Sequence, residues 1–265
     1  MTLISLTITD LLIAASLVLL VALLSWRLYL GSAKQLLIAA TRSAIQLMLL
    51  GYVLHLLFES DSLPLIAALS LFMLSVAGYE VMARQKERFR GAWGYGIGAV
   101  SMFISAFSIT LLTLLVIIQP DPWYKPQYAI PLLGMLLGNT MTGIAIGLDN
   151  LTRNARELRD QIEERLILGQ TWSQAIGDIR KDALRSGLIP IINAMAAAGV
   201  VSLPGMMTGQ ILAGSPPYEA AKYQLMIMYL ITAGTGFGSL AAVWLGSRHL
   251  FDARHRLRLE RLKKR

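Results

Sequence analysis

Apolar residues along this chain gather into seven runs of about 20 residues or more, parted by short polar segments. The runs cover residues 8–26, 36–58, 64–83, 92–118, 129–148, 187–212 and 223–246. A hydrocarbon core about 30 Å thick takes a helix of roughly 20 residues, so each run is long enough to span a bilayer. Strands of a membrane barrel would instead alternate in hydrophobicity over about 10 residues. The pattern predicts an all-α polytopic membrane protein with seven transmembrane helices. A single domain over residues 1–265 is expected, because no polar stretch is large enough to bury a core of its own. The sixth run departs from the others: between 187 and 214 it carries Asn193, Pro204, Gln210 and the pair Gly205 and Gly209.

Composition agrees with this class. The chain is 55% hydrophobic and 15% charged, against about 25% charged in a soluble domain. A net charge of +8 could suggest nucleic acid, but the placement of the charges gives another reason for it. Nothing basic precedes the first run, whereas Arg27, Lys34 and Arg42 follow it. Read through the chain, the alternation places 22 of the 24 Lys and Arg on one side, with only Lys125 and Lys222 on the other. The positive-inside rule then puts the N-terminus outside and the C-terminus in the cytoplasm. Trp123, Tyr124 and Tyr128 suit an aromatic belt at the outer face. The basic tail, 247–265, is expected to meet anionic lipid, and no nucleic-acid partner is expected. The absence of cysteine excludes a disulfide framework. The first ten residues carry no Lys or Arg, so a cleavable leader is not expected.

One long polar stretch, 149–186, interrupts the apolar pattern on the cytoplasmic side. It reads as an amphipathic helical pair. Leu151, Ala155, Leu158, Ile162 and Leu166 recur at helical spacing. Gly169 suits the position after a helix end. Thr171 with Gln174 makes a capping box for the second helix. Trp172, Ala175, Ile176, Ile179 and Ala183 form that helix's apolar face. Both helices are too short to stand alone in water, so they rest on the bundle, on the bilayer or on a partner. Trp172 beside a tight turn is a candidate anchor for a soluble subunit.

Within the runs, polar groups are the informative positions. Arg42 and Glu80 lie at similar depth near the cytoplasmic face and are expected to form a structural ion pair. The fifth run holds Gly134, Gly138, Gly143 and Gly147 at small-xxx-small spacing, which permits close helix approach. It also holds Asn139, Thr140 and Thr142. The sixth adds Asn193, Met195, Met206, Met207 and Gln210. Pro204 removes a backbone donor, and with Gly205 after it the helix is expected to kink or break. Broken helices line substrate sites in transporters, so these residues are a candidate substrate path or gate. The alternative is a packing kink with Gly205 and Gly209 at a helix interface.

No catalytic constellation accompanies them. The three histidines, His55, His249 and His255, are scattered. No Walker motif is present, so ATP would have to be hydrolysed by another chain. Gly234, Gly236 and Gly238 make a GxGxG without a preceding strand, which is not a nucleotide motif. A secondary transporter would want a protonatable group at mid-depth, and the runs offer only Glu80 near one edge. A membrane scaffold without transport also fits the span pattern.

The segments LLGMLLGNTMTG, LGQTWSQA, ALRSGLIPIINAMAAAGVVSLPGMMTGQILAG and YQLMIMYLITAGTGFGSL resemble the FetB-type permease family of ABC transporters. The resemblance covers most of the chain from Arg27 onward. It implies a membrane subunit, dimeric, paired with a FetA-like ATP-binding subunit that holds ATP and Mg²⁺, so that this chain carries no cofactor. It also implies a bacterial inner membrane location, export of iron or an iron complex, and a part in resistance to oxidative stress. Plant relatives of this family are tied to aluminium tolerance and UDP-glucose transport. The region from Thr171 to Pro190 is similar in placement to the coupling helix of such permeases. The resemblance makes Thr171, Trp172, Ala175, Ile176, Ile179, Arg180, Gly187 and Pro190 the expected partner-coupling residues. Ala175, Gly187, Leu188 and Pro190 match that motif's layout, whereas Ser173 and Gln174 stand where it has Glu. Asn, Thr, Gln and Met do not make a cage for Fe³⁺, which favours carboxylates.

Overall fold

The structure is a computed structural model that describes residues 7–60 and 62–264. Its contacts fall into two compact units, one built from the chain up to Ser62 with Leu212–Gly214, the other from Leu63–Ile211 and Ser215–Arg265. Six helices are long and apolar enough to cross a membrane: Ile8–Arg27, Ala33–Glu59, Leu63–Arg84, Ala92–Ile118, Pro126–Glu157 and Pro217–His249.

The first unit is a helical hairpin of α1 (Ile8–Arg27) and α2 (Ala33–Ser60). Thr7 opens α1 through a capping box with Asp10, satisfying two donors that a helix start leaves free. Tyr29 and Gly31 adopt positive φ in the turn. Small residues mark the crossing: Ala22 and Ser25 are buried, and Ser25 Oγ lies 2.7 Å from Ser32 Oγ.

The second unit is organised around one helix. Its elements are α3 (Leu63–Arg84), β1 (Glu87–Phe89), α4 (Ala92–Met102), α5 (Ser108–Leu112), α6 (Pro126–Glu157), α7 (Arg159–Ile167), α8 (Trp172–Ala175), α9 (Gly177–Ala197), α10 (Gly205–Leu212), α11 (Pro217–His249) and β2 (Leu262–Lys264). α6 packs against α3, α9 and α11 and supplies much of the core, including Leu133, Leu136, Ile144, Leu148 and Leu151. Small residues set the distances. A Cβ on Gly143 would lie 2.9 Å from the Gly187 carbonyl oxygen, and one on Gly187 would lie 2.7 Å from that of Gly143. Only glycine at both positions lets α6 and α9 come this close. Gly234 and Gly238 do the same for α11 against Thr140.

The fourth apolar run is one rod containing two π-helical turns, Phe103–Phe107 and Thr113–Ile118. Each π turn displaces carbonyls from the regular ladder. Ser105, Thr110 and Thr113 each donate to the carbonyl four residues back at 2.7 Å. No periodicity in the sequence announces these turns.

The run 187–212 breaks, as Pro204 and Gly205 lead one to expect, but not as a helix kinked at Pro204: α9 ends at Ala197 and α10 starts at Gly205. Gly199, with φ of +81°, starts the break. Pro204 sits just before α10 rather than inside a kinked helix, and its carbonyl accepts from the Thr208 N–H at 3.0 Å. Nor is the polar stretch a separate helical pair. Residues 151–157 continue α6, and α9 runs unbroken from Gly177 through Pro190 to Ala197. Last, the pair Gly205 and Gly209 makes no helix interface among the described residues, since a Cβ at either would meet nothing within 4 Å.

The close approach of α6 and α9 yields a stability prediction. Gly143→Ala and Gly187→Ala should each cost about 1–3 kcal/mol by overpacking, whereas Gly209→Ala should be neutral or better. Thermal unfolding in detergent checks this; equal midpoints for all three variants would contradict it.

Candidate functional site: a folded bracket on a broken helix

The site begins where α6 and α9 leave the apolar zone together. A Cβ on Gly147 would lie 3.3 Å from the Ala183 carbonyl oxygen, and Asn150 Nδ2 donates to Ser186 Oγ at 3.3 Å. Beyond them α7 and α8 close the end. Gly169, at φ of +85°, ends α7 as its place in the sequence predicts. The Thr171 N–H and hydroxyl both donate to Gln174 Oε1, at 2.9 and 3.0 Å. Arg165 reaches Asp178 Oδ2 at 2.9 Å and ties α7 to the start of α9. Ile162, Ala175, Ile176, Ile179 and Ala183 fill the space between.

The C-terminal segment completes this bracket as a folded element. Leu250 and Phe251 are fully buried. β2 pairs antiparallel with β1, in the link between α3 and α4, with Phe89 opposite Leu262. Arg261 Nη1 donates to the His249 carbonyl at 2.6 Å, and the Arg90 N–H donates to the Arg261 carbonyl at 2.8 Å. Arg156, near the end of α6, pairs with Glu87 on β1 at 2.5 Å. Asp252 turns the segment by accepting from the N–H groups of Arg254 and Arg256 at 2.9 Å each. The Arg256 backbone bond first, then its guanidinium and the Arg254 N–H, hold the Asp252 carboxyl well below the usual carboxylate range.

The expected coupling residues therefore take different roles. Trp172 faces this segment: its ring centre is 6.0 Å from that of Phe251, the Arg248 guanidinium lies 5.5 Å from the Trp172 ring centre, and the Trp172 backbone N–H donates to His255 Nδ1 at 3.3 Å. Ala175, Ile176, Ile179 and Gly187 are buried. Thr171 is exposed as a cap, Pro190 is exposed along α9, and Arg180 donates to Ser173 Oγ at 3.2 Å.

The candidate path residues do not share one surface. Asn139 Nδ2 donates to the Met135 carbonyl of its own helix at 2.8 Å. Thr140 is fully buried against Gly234 and Gly238. Thr142 accepts from Arg84 Nη1 at 3.3 Å, in a cavity of about 290 Å³ also lined by Asp149, Asn150, Arg153 and Ser186. Met195 Sδ accepts from the Thr232 hydroxyl at 2.9 Å. Asn193 is exposed on α9, and Met206, Met207 and Gln210 are half-buried on α10 with the exposed Gly205 at its start. Glu80 lies 3.9 Å from Arg84, one turn on, and Arg42 stands on α2.

Sequence reasoning missed two features. One is a seam of buried hydroxyls, Ser101, Thr140, Thr235 and Ser239, whose oxygens make no hydrogen bond among the described residues. The other is the exposed pair Ile167 and Leu168 at the turn after α7; the amphipathic count stopped at Leu166. Among the described residues no group of three or more His, Cys, Asp or Glu is placed to hold a metal ion.

Apolar helices long enough to cross a membrane, a helix broken at its apolar end and a folded bracket of polar segments define a polytopic helical membrane protein. The chain belongs to the Uncharacterised protein family (UPF0014), whose model matches residues 8–251. It is 37% identical over 240 residues to a UPF0014 membrane protein of Synechocystis sp., covering 89% of this chain and 90% of that one. It is 33% identical over 257 residues to the protein named Probable iron export permease protein FetB of Escherichia coli, covering 95% of each. Protein ALUMINUM SENSITIVE 3 of Arabidopsis thaliana is 33% identical over 228 residues, which cover 86% of this chain and 81% of that protein. No solved structure is significantly similar.

If the tail is an integral wall of the bracket, Phe251→Ala and Trp172→Ala should both free it. Limited trypsin digestion after Arg254 and Arg256 should then quicken about tenfold, the effect of weakening a local closure by ~1.4 kcal/mol. Unchanged cleavage rates in both variants would contradict the docked tail.

Proposed function

We propose that this chain is the membrane-spanning permease subunit of an ABC transporter, working as a homodimer with separate ATP-binding subunits that hold ATP and Mg²⁺. The observation that carries the reading is α9. It is a single helix that starts in the cytoplasmic bracket at Gly177 and ends at the break beginning at Ala198. A helix so placed converts movement of a docked subunit into movement at a broken helix inside the bilayer. In this reading the chain crosses the inner membrane seven times, with α9 and α10 together making the sixth crossing. The N-terminus is outside and the bracket is cytoplasmic.

The cargo in this reading is iron carried as a complex. The name of the Escherichia coli relative supports iron. The lack of a clustered set of hard ligands among the described residues favours a complex over a bare ion. Export of iron would add to resistance to oxidative stress. The exposed or half-buried Asn193, Met206, Met207 and Gln210 flank the break on α9 and α10 and, as neutral groups, would touch a cargo weakly enough to release it.

The test is to make α9 flexible without touching its ends. Leu184→Gly with Arg185→Gly places two helix-weakening residues, about 1 kcal/mol each, between bracket and break. Co-purification of the ATP-binding subunit should persist. ATP-driven movement of ferric citrate into inverted vesicles should fall at least about tenfold. Undiminished transport by this variant would refute the coupling role of α9.

A further inference from the structure

Two side chains at the tip of the bracket have no role so far. Ile167 is 85% exposed and Leu168 is 75% exposed, at the turn joining α7 to α8. Aliphatic groups this open on a folded turn call for a cover. The lengths of the flanking helices argue against lipid as that cover. α6 continues from Leu148, the end of its apolar run, to Glu157, and α9 starts at Gly177, well before its apolar run opens at Gly187. At 1.5 Å per residue, both helices carry the turn on the order of 14 Å past the hydrocarbon edge.

The surroundings say what kind of cover fits. The turn forms one wall of a cleft of about 690 Å³, and the tail forms the other. Leu166 and Gly169 face Arg254, Arg256 and Leu257 across it. Arg256 is neutralised by Asp252 at 2.8 Å, and Glu163 is held by Arg159 at 2.8 Å. Arg254, in the cleft wall, has no ion pair among the described residues, whereas Lys181, outside the cleft, is paired with Asp178 at 3.8 Å. An apolar knob beside an uncompensated guanidinium is complementary to an aliphatic pocket edged by carboxylates.

We infer that this cleft, turn and tail together, is the docking surface for a soluble protein that offers such a pocket. The inference rests on the function proposed above, in which that protein is the ATP-binding subunit. It moves the contact from Trp172, which is spent on Phe251 and Arg248, to Ile167 and Leu168. It also makes the C-terminal segment part of the docking surface, with Arg254 steering the partner and Phe251 holding the wall in place.

The test inserts the photo-crosslinking residue p-benzoylphenylalanine singly at Leu168, Arg254 or Lys181 of the full chain in its own membranes. Each adduct is identified by mass spectrometry. Leu168 and Arg254 should both capture a protein that carries a Walker A motif. Arg254→Glu should lower the Leu168 adduct about tenfold, while Arg254→Lys should keep it. A Walker-bearing adduct from Lys181 alone would overturn the inference and leave the proposed function standing. Phospholipid adducts from Leu168 and Arg254 would overturn it in favour of a bilayer contact. Failure of all three positions to capture a Walker-bearing protein would overturn both.

Discussion

α6 and α9 touch backbone to backbone at Gly143 and Gly187, each glycine lying against the other's carbonyl. Between apolar helices in lipid there is no hydrophobic force to drive pairing, so close packing and carbonyl contacts of this kind hold helices together. Here the contact does more than join two spans. It clamps α9 near its middle, with one half outside the apolar zone and the other half inside. Gly147 against Ala183 and Asn150 against Ser186 extend the clamp outward. The half in the bracket is thereby held in register with α6, and the far half runs out to the break at 198–204.

The bracket follows from the same constraint. α8 is four residues long and could not persist alone in water. It is kept by the Thr171 cap, by Ile176 buried beneath it and by Trp172 against Phe251. The tail that supplies Phe251 is itself fixed to the link between α3 and α4 through β1 and β2. A load on the α7–α8 turn therefore reaches α9 directly and reaches α3 and α4 through the strand pair. Two elements far apart in sequence, 87–89 and 262–264, become one support.

Much of this was legible before the structure. Apolar run length located the six helices long and apolar enough to cross a membrane, because hydrocarbon thickness imposes it, but not α9, whose first half is polar. Gly169 and the Thr171 box were read correctly, because turn and cap chemistry is local. What failed was non-local. The basic pattern of the tail does not reveal that Leu250, Phe251 and Leu262 fold inward and are buried. Trp172 looks like a free anchor until its partner, 79 positions away at Phe251, is placed beside it. The spacing of Gly205 and Gly209 matches that of Gly143 and Gly147, yet only the second pair meets a neighbouring helix. The spacing states that a close approach is permitted, and the neighbour decides whether it occurs. Pro204 signalled a break correctly but not its location, since a proline serves equally well just ahead of a helix start.

The central claim is that α9 moves as one rod while the chain bends only at 198–204. A chain without cysteine allows this to be measured directly by pairs of spin labels. Lys181→Cys with Asn193→Cys spans twelve residues of α9, about 18 Å along the axis, and Lys181→Cys with Met207→Cys spans the break. Pulsed electron resonance distances would be compared with the ATP-binding subunit bound, nucleotide-free and vanadate-trapped. The account predicts an unchanged first distance and a second that shifts by several ångströms, on the scale of hinge motions. A first distance that changes with nucleotide, or a second that does not, would contradict it.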